Sequence, residues 1–228
     1  MSYVIPPPPV TTLEVEGASA RFPVHRIYCI GRNYADHARE MGHDPDREPP
    51  FFFMKPADSI VTDGNDFPYP EKTEDVHHEM ELVVALGSGG RNIPVKNALD
   101  CIFGYAVGLD MTRRDLQSEA KKLGRPWDTG KAFDHSAPCS RIRPVAKTGH
   151  PNTGALWLKV NGKTTQSSDI SALIWTIPEQ IAFLSSLFSL APGDLIYTGT
   201  PAGVGPVNVG DVLHGGVDNV GEIKIKIV

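Results

Sequence analysis

The sequence predicts an α+β fold that is rich in strands and built as a single domain. Three observations carry that expectation. The 22 glycines and 20 prolines among 228 residues imply many turns, hence many strands and loops and no helical bundle. Several apolar runs have strand length and end at turn residues. Helical spacing is confined to short stretches. The length is enough to bury a sizeable core.

Residues 1–22, with a proline run and then TTLEVEG, are expected to form an N-terminal extension holding one short strand; residues 23–228 form the domain. PVHRIYCIG (23–31) reads as a buried strand ending at Gly31. RNYADHAREMG (32–42) has helical spacing, with Tyr34, Ala38 and Met41 along one side and Gly42 as its stop. FFFMKPADSIV (51–61) is extended and interrupted at Pro56. VHHEMELVVAL (76–86) reads as one buried strand. NALDCIFGYAVGLDM (97–111) opens as a short helix and becomes a second buried strand ending at Asp110. Thr112, with Asp115 three residues on, resembles a capping box opening a helix that Gly124 stops. LWLKVNGKTTQ is a hairpin turning at Asn161-Gly162. IPEQIAFLSSLFSL (177–190) is the clearest amphipathic helix, with Pro178 in its first turn and Pro192-Gly193 ending it. DLIYTGTP is a strand that runs into a glycine-rich loop, and VGEIKIKIV is a terminal strand with one wet face.

Composition narrows the function classes. A net charge of -5 with no Lys/Arg stripe gives no electrostatic case for a nucleic-acid partner. No apolar run approaches the roughly 20 residues that span a bilayer, so no membrane is expected. MSYVIPPPPV lacks the basic and apolar regions of a signal peptide. Cys29, Cys101 and Cys139 are far apart and form neither a CxxC pair nor a disulfide framework. The expected compartment is the cytoplasm.

The chemistry concentrates in acidic residues placed where apolar ones belong. Side chains alternate along a strand, so Glu79 and Glu81 share a face, and Val83 and Ala85 continue it. Two carboxylates roughly 7 Å apart in a poorly solvated place require a proton or a cation between them. Asp110, at the end of another strand, completes a hard oxygen set suited to Mg²⁺, Mn²⁺ or Ca²⁺. The plainer alternative is an exposed edge strand carrying two acids. His77-His78 raises a rival His/carboxylate site, ranked lower because adjacent strand residues point to opposite faces.

Other candidates weigh less by themselves. His37 and Glu40, three apart on a short helix, face the same way, as a general base and its orienting carboxylate would. Lys131, in WDTGKAFDHS, can present an ammonium to a bound acid, or be an ordinary solvated lysine. Arg114 and Gln117, also three apart, can face the same site. In YTGTPAGVGP the glycines, Gly199 among them, let backbone N–H groups approach an anion, and Thr200 offers a hydroxyl; the loop is neither a P-loop nor a dinucleotide fingerprint.

GRNYADHAREM, FMKP, HHEMELVVAL, GYAVGLDMTRRDLQ, GKAFD, LWLKVNG and LIYTGTPAGVGPV follow one another in order over roughly residues 27–207. With these motifs the chain resembles the fumarylacetoacetate hydrolase family, nearest its short acylpyruvate hydrolases. The string YADHAREMGHDPDREPPFFFMKPADSI is most similar to the bacterial fumarylpyruvate hydrolases of gentisate catabolism. The resemblance implies a mixed β-roll or sandwich of the family's C-terminal type and a homodimer. It implies a Mg²⁺ or Mn²⁺ site at Glu79, Glu81 and Asp110 and a catalytic pair, His37 and Glu40. By the same resemblance Lys131, Gln117, Arg114 and Thr200 lie near the pyruvate end of a keto-acid substrate.

The expected reaction is metal-dependent hydrolysis of a carbon–carbon bond in an acylpyruvate, with fumarylpyruvate giving fumarate and pyruvate. His37, held by Glu40, takes a proton from water. Negative charge developing on the pyruvate half is stabilised at the metal and Lys131. Oxaloacetate decarboxylation or keto–enol tautomerisation on the same site is the alternative, and a non-catalytic keto-acid binding protein the second. The 32–46 segment is expected to act as a lid that is displaced without ligand. Arg32, His43, Arg47 and Arg125 are candidates for a distal carboxylate. Phe51, Phe52 and Phe53 are expected mainly in the core.

Overall fold

The computed structural model describes residues 2–36, 49–62 and 64–228. Among them the strands, in chain order, are β1 (Thr12–Leu13), β2 (Phe22–Pro23), β3 (Ile27–Gly31), β4 (Phe51–Lys55), β5 (Ile60–Thr62), β6 (Val76–His78), β7 (Met80–Leu86), β8 (Ile102–Leu109), β9 (Thr112–Arg113), β10 (Ala137–Cys139), β11 (Arg143–Pro144), β12 (Ala155–Val160), β13 (Lys163–Asp169), β14 (Leu195–Tyr197), β15 (Gly205–Pro206), β16 (Val212–Val217) and β17 (Gly221–Lys226). Short α-helices accompany them, among the described residues α1 (Arg114–Leu123), α2 (Asp128–Lys131), α3 (Val145–Thr148) and α4 (Ile177–Leu187). The strand-rich α+β expectation holds.

An eight-stranded mixed sheet, ordered β4-β3-β14-β7-β8-β10-β5 with β11 beside β8, forms the body. The β14–β3 and β10–β5 pairs are parallel, and the other pairs antiparallel. An antiparallel sheet, β13-β12-β16-β17, packs with it. Alternation along β7 explains its unbroken apolar run. Met80, Leu82, Val84 and Leu86 enter the larger core with Leu213, Ile223, Ile225 and Leu184. Val83 and Ala85 enter a second core with Ile27, Cys29, Leu195 and Tyr197. A sheet covered on both faces needs no polar side.

Local signals shape the rest. Asn161 (φ 51°) and Gly162 (φ 81°) make the type I′ turn between β12 and β13. Gly124 (φ 63°) closes α1 in the left-handed conformation. β17 alternates buried and exposed residues as expected. The three cysteines are free and buried. Residues before 23 are stitched to the body: Leu13 and Phe22 are core residues, and Ile142 N–H donates to Glu14 O at 2.8 Å.

Three sequence expectations need correcting. The 76–86 strand is interrupted at Glu79, because β6 pairs with β9 and β15 while β7 pairs with β8 and β14. The Thr112–Asp115 capping box is not formed. Thr112 lies in β9 with its hydroxyl on Asp110 O, and Asp115 accepts from Thr73 Oγ1. The true capping box opens α4, where Glu179 Oε2 accepts from Thr176 N–H at 2.9 Å. That helix ends at Leu187, short of residue 190.

Candidate metal centre and active-site cleft

The antiparallel pairing of β7 with β8 sets the site. Its register places Met80 against Leu109, so the start of one strand lies beside the end of the other. Asp110 N–H donates to Glu79 O at 2.8 Å, which fixes those two residues across the break. Carboxylate oxygens of Glu79, Glu81 and Asp110, all buried, converge within 4.8 Å of one another.

Cations surround them. Lys131 Nζ donates to Glu79 Oε2 and to Asp110 Oδ2, each at 2.7 Å. Lys55 Nζ lies 2.8 Å from Asp110 Oδ1 and donates to the carbonyls of Met111 and Lys131. Arg114 donates to Glu79 Oε1 at 2.5 Å and to Gln117 Oε1 at 2.8 Å. Gly199 N–H donates to Glu81 Oε2 at 2.8 Å. Lys131 reaches the acids because α2 presses on α1. A Cβ on Gly130 would stand 2.8 Å from Gln117 Cβ and 2.9 Å from its backbone, so only glycine permits the approach.

Burial raises the Glu81 carboxyl well above its usual range, and the charges of Asp110 and Glu79 raise it further. For Lys131 burial acts to lower the pKa, but Asp110 and Glu79 outweigh it and the ammonium is held above its usual value. Asp110 Oδ1 is buried and accepts no aligned hydrogen bond, although Lys55 lies close. A hard, all-oxygen donor set with a carboxyl driven toward neutrality fits a divalent cation such as Mg²⁺ or Mn²⁺. The histidine rival finds no support among the described residues. His77 Nε2 pairs with Asp75 at 2.8 Å, and His78 turns to Gln166, its pKa lowered by burial to about 4.

Glu79, Glu81, Asp110, Lys131, Arg114, Gln117 and Thr200 all line one cleft. The Gly199 N–H is held by Glu81 Oε2. The Thr200 hydroxyl donates to Met80 O and accepts from Gln166 Nε2. His37, Glu40, His43 and Arg47, with most of the expected 32–42 helix and lid, lie outside the described residues. Arg32 lines the cleft, whereas Arg125 lines an adjoining cavity. Phe51 and Phe53 also line the cleft, and of the three only Phe52 packs against the larger core, because alternation along β4 turns its neighbours the other way. Sequence reasoning passed over Lys55, Gln166, Lys121 and Trp127.

The family model for the fumarylacetoacetate hydrolase C-terminal domain matches residues 26–228. The chain belongs to the fumarylacetoacetate hydrolase family. Family members similar to it include a fumarylpyruvate hydrolase of a Ralstonia species, 47% identical over 82% of this chain and 98% of the relative. The mitochondrial oxaloacetate tautomerase of Mus musculus is 43% identical over 88% of this chain and 90% of its own. Among solved structures, fumarylpyruvate hydrolase from Pseudomonas aeruginosa, in complex with Mn²⁺ and pyruvate, has a TM-score of 0.97 at 49% identity. That comparison covers 100% of this chain and 99% of the other. The chain is thus an enzyme of the hydrolase class that acts on carbon–carbon bonds. No described helix is long and apolar enough to cross a membrane.

Proposed function

We propose that the chain hydrolyses an acylpyruvate, fumarylpyruvate first, to fumarate and pyruvate. The observation that carries the reading is the convergence of Glu79, Glu81 and Asp110 beside the Lys131 ammonium in one cleft. The likeness to two fumarylpyruvate hydrolases, one with pyruvate bound, supports it. In this reading Glu79, Glu81 and Asp110 hold Mg²⁺ or Mn²⁺, with Ca²⁺ also suited to the donors. When bound, the ion supplies Lewis-acid polarisation of the substrate's 2-oxo carbonyl.

The chain's own groups do the rest. His37, oriented by Glu40, takes a proton from the water that attacks the distal carbonyl, a contribution of about 10²–10⁴-fold. The carbon–carbon bond breaks, and its electron pair passes to the pyruvoyl fragment. Lys131, held charged by its two acids, faces the negative charge that develops there. Arg114, held by Gln117, fixes Glu79 at the same end. Protonation of the fragment gives pyruvate. A homodimer, a cytoplasmic setting and a place in aromatic catabolism belong to the same proposal.

The Mus musculus relative favours a second reading, tautomerisation of oxaloacetate on the same site. Metal-stripped protein resupplied with Mg²⁺ or Mn²⁺ separates the two. Loss of fumarylpyruvate absorbance, abolished in His37→Ala, is the expected result. Turnover of oxaloacetate alone, surviving that substitution, would replace hydrolysis with tautomerisation.

A further inference from the structure

We infer that Arg32 and Lys121 form a subsite for a second carboxylate at the aromatic end of the cleft, so that the chain selects dianionic over monoanionic keto acids. The inference rests on reading the cleft as a keto-acid site and adds what that reading leaves open, the residues that hold the distal end.

Charge bookkeeping leads to these two residues. On the cleft floor Glu79 and Asp110 are answered by Lys55, Lys131 and Arg114, each within 2.8 Å of an acid oxygen or nearer, and Glu81 by the Gly199 N–H. Arg32 and Lys121 line the same cleft but stand apart from that exchange. Among the described residues neither has a carboxylate within ion-pair distance. Each rests on an aromatic ring instead. The Arg32 guanidinium lies 5.6 Å from the centroid of Phe51, and Lys121 Nζ 4.8 Å from that of Trp127. Those rings meet edge to face at 4.9 Å, so the two cations flank one aromatic wall.

The wall and its cations are held in place. Arg32 has φ 56°, a left-handed conformation rare outside glycine, found where surrounding structure imposes it. The next residue imposes it: Asn33 Nδ2 donates to Thr198 O at 2.8 Å and to Trp175 O at 3.1 Å, and its Oδ1 accepts from Trp175 N–H at 2.7 Å. The Phe51 ring lies flush on Gly31, where an added Cβ would stand 2.5 Å from it. Partial burial lowers the Lys121 pKa, and the charges of Arg114, Arg32 and Lys131 lower it further against the smaller opposing effect of Glu79, so the cations crowd one another at this end of the cleft. A second carboxylate, on a flat chain lying along Phe51 and Trp127, answers Arg32 and Lys121 directly.

Calorimetric titration of the Mg²⁺-loaded protein tests this with two non-hydrolysable probes of equal length, 2-oxoheptanedioate and 2-oxoheptanoate. They differ only in the distal carboxylate. The expected result is about tenfold or greater preference for the diacid, the scale of a charge-assisted contact. That preference falls toward unity in Arg32→Gln and in Lys121→Met. Equal binding of both probes by the unaltered protein, or a preference that survives both substitutions, overturns the inference. The readout needs no turnover: a diacid preference in a protein that fails to hydrolyse fumarylpyruvate would keep the subsite and sink only the proposed reaction.

Discussion

Lys55 Nζ lies 2.8 Å from Asp110 Oδ1, with the lysine side chain 0% and the aspartate side chain 2% exposed. The same ammonium donates to the carbonyls of Met111 and Lys131. One buried cation therefore ties the end of β4 to the acid after β8 and to the backbone that carries the second lysine. Replacing it with Lys55→Met removes one of the two buried cations beside Asp110, which keeps Lys131, and leaves two carbonyls without that donor. With the carboxylate still paired, the lost contacts of the buried ammonium cost about 1–3 kcal/mol. Urea denaturation of the metal-free variant is expected to show a loss of that order; a loss well below 1 kcal/mol would mean that Lys55 does not hold Asp110.

The Glu81 carboxyl carries the pH prediction. Burial, then the Asp110 and Glu79 charges, raise its pKa from the ordinary 4.5. In metal-free protein the folded state keeps a proton that the unfolded chain releases. This contribution to stability is present in full below pH 4.5 and is lost as pH rises to the raised pKa. A metal ion requires the carboxylate, so its binding expels the proton and its affinity climbs with pH over that window. Titrating Mg²⁺ in two buffers of different ionisation enthalpy measures the proton released. Heats that do not depend on the buffer at any pH above 4.5 would contradict the raised pKa.

The contact between α1 and α2 gives a third expectation. Gly130 stands where any Cβ would press on the Gln117 backbone at 2.9 Å, inside normal contact. Gly130→Ala must push α2 away and carry Lys131 with it, at about 1–3 kcal/mol of overpacking strain. Chemical denaturation is expected to show that loss, and steady-state kinetics a fall in kcat larger than any rise in KM. Unchanged stability and kcat would show that Lys131 is placed by its ion pairs alone.

Much of the site was legible because it breaks a pattern. Glu79 and Glu81 stand out in VHHEMELVVAL because the flanking residues are apolar on both faces, and Asp110 stands out at the end of such a run. The break at Glu79 was invisible, since it depends on which partners β6 and β7 find elsewhere in the chain. Lys55, between Met54 and Pro56, looks like any surface lysine until β4 is seen to lead into the interior. Gln166 sits in KTTQSSD, a polar strand by composition, yet it is fully buried and bonds His78, Met80, Thr200 and Pro201. The capping box forms at Thr176 and not at Thr112, because pairing of β9 with β6 overrides the local signal at Thr112. Local spacing reports chemistry and faces; it does not report which distant backbone a residue will meet.

The most direct test of the central claim is a crystal of this protein soaked in Mn²⁺ and measured for anomalous scattering. The account predicts a strong peak in the cleft, with oxygens of Glu79, Glu81 and Asp110 all within about 2.0–2.6 Å of it. A peak elsewhere, no peak, or any one of the three acids turned away from the ion would contradict it.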